Sequence, residues 1–432
     1  MSEIPIVTWL SEVVRPQPSR VVLRPFTPAD DPTADAPGGR GRTGRVIDRV
    51  LAIGPADLKT ELDDVLASLR DRHDDIEPVL LRRFREVVPP SFVGPTISHE
   101  GSLLIGAYFS EEYSFEAAAL FNPSIVPHPD QSGVQPGAVR FVMSLRGVGE
   151  GHISSITFRT GTFDGRSLVI DPPLAHAISP SIEEIPGGAE DDPGVRLFCG
   201  AGRDLSAIVI FPVTLRQRHG IEDLRLTRFT EDDGRHSYIG TYTAFSGEAV
   251  REELLRTEDF TSFELSAMRG AVAGTKGMAL FPRRIGGHFA MLARQDHESI
   301  WFLRSNDLYE WGDGRKIVSP RFPWELIQIG NCGAPVEIDE GWLVLIHGVG
   351  PVRNYSLGAC LLDKNDPTRL LARTTEPLIG SNPTDRDGYV PNVVYSCGAM
   401  LHGRTLLLPY GVADSFTAFA TISVDALLRA MR

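Results

Sequence analysis

At 432 residues, with 42% hydrophobic and 23% charged side chains, the chain has an ordinary globular composition and enough length to bury a core without staples. A net charge of -13 with no basic stripe argues against a nucleic-acid partner, and no stretch reaches the roughly 18 apolar residues of a membrane span. The four cysteines, Cys199, Cys332, Cys360 and Cys397, form no CxxC pair, which argues against a zinc knuckle and fits a reducing, cytoplasmic compartment; the opening MSEIPIVTWLSEVV lacks the basic start and long apolar run of a secretory signal.

Residues 28–45 are rich in Pro, Gly and charge and read as a loop. Over 46–88 apolar residues recur at spacings of three and four: Val46, Ile47, Val50 and Leu51, then Leu58, Leu62, Val65, Leu66 and Leu69, then Ile76, Val79 and Leu80. That period predicts two or three helices, broken near Gly54-Pro55 and near Asp74 and stopped at Pro89-Pro90. The run RRFRE at 82–86 suits a solvated helix face or an oligomer contact, so a homo-oligomer stays open. After residue 95 short alternating runs separated by Gly, Asp, Asn and Pro take over, which predicts strands. The expected organisation is an N-terminal arm and helical extension over 1–95 and an all-β domain over 96–432.

A loose unit recurs five times in the β region. Each copy has a polar or proline anchor, a strand, a tight turn, a second strand and a third, with anchors near Asn122, Asp223, Pro282, Pro335 and Pro391. The last four anchors lie about 50 to 60 residues apart, and the longer first interval contains a Pro/Gly/Asp-rich stretch, 171–195, that reads as an insertion. Three to four strands repeated five times predict a five-bladed β-propeller, whose innermost strands would aim the anchors at one central pocket. The copies would then contribute Asn122, Arg146, Glu222, Asp223, Arg225, Arg283, Arg294, Gln328, His347, Arg353, Tyr355, Asn392 and Asp414. No HExxH or HxH spacing and no GxSxG elbow is present, so neither a metal site nor a cofactor is expected. The abundance of arginine points to an anionic ligand, because the guanidinium fork matches phosphate and carboxylate.

At these positions the chain resembles glycoside hydrolase family 130, the β-mannoside phosphorylases and β-mannosidases. The matching pieces are Asn122-Pro123, Glu222-Asp223-Leu224-Arg225, Leu280-Phe281-Pro282, Ser305-Asn306-Asp307-Leu308 with Trp311, Gly341-Trp342 with His347-Gly348-Val349, Tyr355-Ser356-Leu357-Gly358, Val390-Pro391-Asn392 and Tyr410-Gly411 with Asp414. The resemblance implies a five-bladed propeller that cleaves β-mannosidic bonds with inversion. It assigns the catalytic acid to Asp223 and phosphate to Arg283, Arg294, His347 and Tyr355; Arg353, close to Tyr355 in the sequence, is a further candidate cation for phosphate. Asn122, Arg146, Glu222, Arg225, Gln328, Asn392 and Asp414 would contact sugar. Cleavage needs a proton on the leaving oxygen and a nucleophile opposite; phosphate attacks unaided, whereas water needs a second carboxylate as base. Two departures stand out: Leu224 replaces the proline of the family's Glu-Asp-Pro-Arg, and Gln328 replaces a lysine that helps bind phosphate. The expectation is phosphorolysis of manno-oligosaccharides to mannose 1-phosphate with inorganic phosphate as co-substrate. The alternatives are a β-1,2-mannosidase using water and a non-catalytic sugar-binding propeller.

Overall fold

The structure, a computed structural model, describes residues 5–29, 41–74, 76–88, 96–178, 180–185, 194–200, 202–381, 388 and 390–432. Residues 30–40 of the expected loop, the Pro89-Pro90 stop, and residues 179 and 186–193 of the expected insertion lie outside the described residues. The chain forms two compact units, one of residues 1–17, 116–173 and 180–432, the other of residues 18–115 and 174–179.

In the smaller unit the periodic stripe becomes three helices, α1 (Gly41–Leu51), α2 (Pro55–Leu69) and α3 (Ile76–Val87). Pro55 starts α2, where its missing N–H costs nothing. Ile47, Val50, Leu62 and Leu80 are buried together in one core. A fourth helix, α4 (His99–Tyr108), lies where the sequence pattern predicts the onset of strands. Its residues Gly101–Gly106 are all buried, so it carries no amphipathic period to read. Ser98 caps it by accepting the Gly101 N–H at 3.0 Å. A Cβ on Gly106 would stand 2.1 Å from the Leu80 carbonyl oxygen, so α3 and α4 meet backbone to backbone there. A short antiparallel pair, Val22–Pro25 with Ser110–Tyr113, completes the unit.

The larger unit is mostly β, built from five antiparallel meanders in chain order. The first runs Ala119–Pro127, Val139–Val148, Ser154–Phe163 and Leu168–Ile170. The second runs Gly220–Thr230, His236–Phe245, Val250–Thr257 and Ser262–Ala267, and its outer edge is extended by Val195–Phe198 and Ser181–Glu184 from the expected insertion. The third runs Ala279–Leu280, Phe289–Ala293, Ile300–Ser305 and Arg315–Val318. The fourth runs Gln328–Asn331, Gly341–Gly350, Asn354–Leu362 and Leu370–Arg373. The fifth runs Val394–Tyr395, Thr405–Val412 and Phe416–Ser423, and its fourth strand is Val7–Val14, from the opposite end of the chain.

The core lies between successive meanders rather than inside any one of them. Phe229, Ile239 and Leu254 of the second pack on Leu280, Met291 and Leu303 of the third. Phe281, Leu292 and Phe302 of the third pack on Trp342, Val344 and Ile346 of the fourth. Leu343, Leu345 and Leu357 of the fourth meet Leu406, Leu408 and Ile422 of the fifth. Leu407 and Phe419 of the fifth meet Phe141, Met143 and Leu145 of the first. Phe158 of the first stacks on Phe263 of the second at 5.7 Å between ring centroids. Trp311 and Trp342 are fully buried in these layers and are core residues. No helix among the described residues is long and apolar enough to cross a membrane.

Candidate active site

Two β-bulges aim the first functional pair. In Ala119–Pro127 the register shifts between Phe121 and Ser124, and in Gly220–Thr230 between Glu222 and Arg225. The residues inside those shifts, Asn122 and Asp223, adopt positive φ of 49° and 57°, which turns their side chains out of the ladder. Asn122 Nδ2 donates to Asp223 Oδ1 at 2.6 Å. Arg146, from the second strand of the first meander, donates through Nη2 to Glu222 Oε1 at 2.7 Å and holds Nη1 3.7 Å from Asp223 Oδ1. Its Nε is anchored on Ser154 Oγ at 2.9 Å.

These groups open into a cavity of about 420 Å³, within the size range of small-ligand sites. Every meander lends it residues at or just before its first strand: Asn122; Glu222, Asp223 and Arg225; Lys276 and Gly277; Gln328; and Val393 and Tyr395. Arg294, His347, Arg353 and Asp414 come from second strands and the turns beyond them, and Tyr355 from the start of the third strand of the fourth meander.

The cavity sorts its charges. Burial raises the Glu222 carboxyl above its usual range and the Asp223 charge adds to this, against the pull of Arg146. Asp414 is pushed up to about 6, again by burial and then by Asp223, against Arg146 and Arg353. Burial drives His347 well below the usual imidazole range, helped by Arg294, Arg225 and Lys276, so at neutral pH it is an uncharged ring. Its Nε2 lies 3.4 Å from Arg294 Nη1 and its ring stacks on Tyr355 at 6.0 Å. Arg225 is spent on structure, donating to Asn331 O at 2.7 Å, Gly277 O at 3.2 Å and Tyr395 Oη at 2.5 Å. Arg294 differs: it is 8% exposed and its Nε has no partner. Lys276, Arg294 and Arg353 have no carboxylate within ion-pair distance among the described residues. Asn122 Oδ1 is also buried and unpartnered.

The fold thus gathers Asn122, Arg146, Glu222, Asp223, Arg225, Arg294, Gln328, His347, Arg353, Tyr355 and Asp414 around one cavity. Two expected members lie elsewhere. Arg283 is not a lining residue; Glu337 grips its guanidinium at 2.8 Å through both oxygens, and the group lies over Trp342. Asn392 accepts the Tyr355 N–H on its carbonyl at 2.9 Å, and its side chain does not line the cavity. Arginine abundance is thus a blunt signal, because Arg159–Glu116 and Arg373–Glu325 are buried ion pairs outside the cavity lining. Sequence reasoning missed Lys276, His297, Thr243 and Tyr395, all of which line the cavity. Lys276 precedes a glycine just ahead of the Leu280-Phe281-Pro282 anchor, and that position was the available clue. Cys332 lies 3.9 Å from His347 Nδ1, but burial pushes its thiol up to about 12, so it is no nucleophile.

A family model, glycoside hydrolase family 130, described as beta-1,4-mannooligosaccharide phosphorylase, matches residues 205–432. A beta-1,2-mannobiose phosphorylase of Listeria innocua is 33% identical over 226 residues, 51% of this chain and 62% of the relative, so the match spans less than two thirds of that protein. A 1,2-beta-oligomannan phosphorylase of a Thermoanaerobacter species is 32% identical over 49% of this chain and 71% of its own. Among solved structures, beta-1,2-mannobiose phosphorylase from Listeria innocua in complex with beta-1,2-mannobiose superposes with a TM-score of 0.54 and 22% identity, covering 72% of this chain and 92% of its own, which is a likeness of fold.

Proposed function

The chain belongs to glycoside hydrolase family 130, and on that premise we propose that it cleaves β-mannosidic bonds in this cavity by phosphorolysis, with inversion, releasing mannose 1-phosphate. The observation that carries the reading is the meeting of three mutually interacting carboxyls, Glu222, Asp223 and Asp414, with three cations, Lys276, Arg294 and Arg353, that have no carboxylate within ion-pair distance among the described residues. Named relatives act as phosphorylases of β-1,2- and β-1,4-mannosides, which supports the same substrate class here.

In this mechanism Asp223 delivers the proton to the leaving glycosidic oxygen while phosphate attacks the anomeric carbon from the opposite face. One C–O bond breaks, one forms, and no base is needed because the nucleophile is already an anion. Asn122 and Arg146 fix the acid by holding Oδ1 and the neighbouring Glu222. Arg294, with its idle Nε, and Lys276 hold phosphate, and the neutral His347 donates or accepts a hydrogen bond without adding charge. Lys276 takes the electrostatic part that Gln328 cannot play. The packing of each meander on the next, and of the fifth on the first, supports reading the larger unit as a five-bladed β-propeller with the cavity at its centre.

Hydrolysis is the second reading. It is favoured by Gln328 and by Asp414, whose carboxyl at about 6 suits a general base for water. Incubation with β-1,2- and β-1,4-mannobiose, with and without phosphate, separates the two. Phosphorolysis gives mannose 1-phosphate and stops when phosphate is withdrawn. Free mannose formed at a phosphate-independent rate establishes hydrolysis instead.

A further inference from the structure

Glu252 is a fully buried carboxylate that the mechanism above does not use. It lies on Val250–Thr257, the third strand of the second meander. Its two oxygens accept successive backbone N–H groups, Oε2 from Gly277 at 3.3 Å and Oε1 from Met278 at 3.0 Å. Its own backbone N–H donates to Ala273 O at 3.1 Å, so one residue ties both ends of the loop that carries Lys276. Arg225 holds the same peptide from the other side, donating to Gly277 O at 3.2 Å, and Thr241 Oγ1 donates to Met278 O. Inside the loop the remaining bonds are local turns, such as Thr275 N to Val272 O at 2.9 Å. Gly277 has φ of 87°, and a Cβ there would meet the Arg225 guanidinium at 3.5 Å. The peptide is therefore seated between a carboxylate and a guanidinium, and Lys276 is the next residue along. Lys276 itself is exposed to the cavity, so its position depends on how firmly the following peptide is held.

We infer that Glu252 is a positioning residue that sets Lys276 in the cavity by gripping the Gly277 and Met278 amides. The inference rests on the phosphorolysis reading for the identity of the anion that Lys276 meets. Burial of the carboxylate is costly, and the cost goes to holding two amides next to the site rather than to a purely apolar packing contact.

The test is a double-mutant cycle on the full chain with Glu252→Gln and Lys276→Met, reading kcat and KM for phosphate and for mannobiose. Gln keeps the shape but turns an NH2 group toward an amide that needs an acceptor. The expected result is a roughly tenfold higher KM for phosphate in Glu252→Gln with kcat within threefold, and less than a twofold further change when Lys276 is already Met. Equal costs in both backgrounds, or wild-type kinetics in Glu252→Gln, overturn the inference and leave Glu252 a role in folding alone. Glu252→Asp, which keeps the charge and shortens the reach, takes the same place in the cycle if the Gln variant does not fold. Failure of the phosphorolysis reading looks different: the wild type then releases free mannose at a phosphate-independent rate. In that case the same cycle, read on the KM for mannobiose, decides whether Glu252 acts through Lys276.

Discussion

Asn122, Asp223, His297, Arg353 and Asp414 all line the cavity with positive φ, a backbone state that costs an L-residue roughly 1–2 kcal/mol outside glycine. Asp and Asn bear that state best, so Asp223→Asn keeps the bulge and the fold while removing the transferable proton. Its turnover on mannobiose is expected to fall about a hundredfold to ten-thousandfold, the usual worth of a general acid, with an unchanged melting temperature. A variant retaining more than a tenth of the wild-type rate contradicts the assignment. Asp414 gives a prediction in pH. Its folded carboxyl titrates at about 6, above its unfolded value, so the folded state holds the proton longer and stability falls as pH rises through that interval. Asp414→Asn removes the titration. The variant gains on the wild type by on the order of 1 kcal/mol between pH 4 and pH 7, measured by denaturant melts at both values. A difference between the two proteins that does not change with pH contradicts the shift.

At the scale of elements, the site is made where strands depart from regularity. Gly330 in Gln328–Asn331 lies opposite His347, and a Cβ there would stand 2.5 Å from His347 Cε1. Gly330→Ala is therefore expected to displace the ring, destabilise the protein by about 1–3 kcal/mol and lower kcat/KM at least tenfold. A variant with wild-type melting and kinetics would show that the ring has room to move. The same irregularity explains what the sequence made legible. Alternating runs disclosed the strands, and the polar anchors at Asn122 and Asp223 disclosed side chains aimed at a shared pocket, but not the bulges that turn them out of the ladder. Arg283 and Lys276 were not separable in this way. Both lie beside the third anchor, and only the pairing of Arg283 with Glu337 takes it out of the cavity. Helix α4 was hidden because burial on every side erased its period.

For the molecule as a whole, the least legible feature is the strand Val7–Val14. It pairs with Phe416–Ser423 across the full length of the sequence, and no local pattern announces a partner that distant. The repeat of five meanders was legible because each is a local unit, whereas the packing between them is not written in any one unit. Gathering five first strands at one cavity is what turns scattered residues into a single candidate site. The central claim is that this site transfers a mannosyl group between a sugar hydroxyl and phosphate, and such a reaction runs in both directions. The most direct measurement is release of inorganic phosphate from α-mannose 1-phosphate with mannose as acceptor. The account predicts phosphate release matched by formation of a β-linked mannobiose, with β-mannose 1-phosphate inert. Consumption of mannobiose by the same enzyme with no phosphate released in this reverse assay would contradict it.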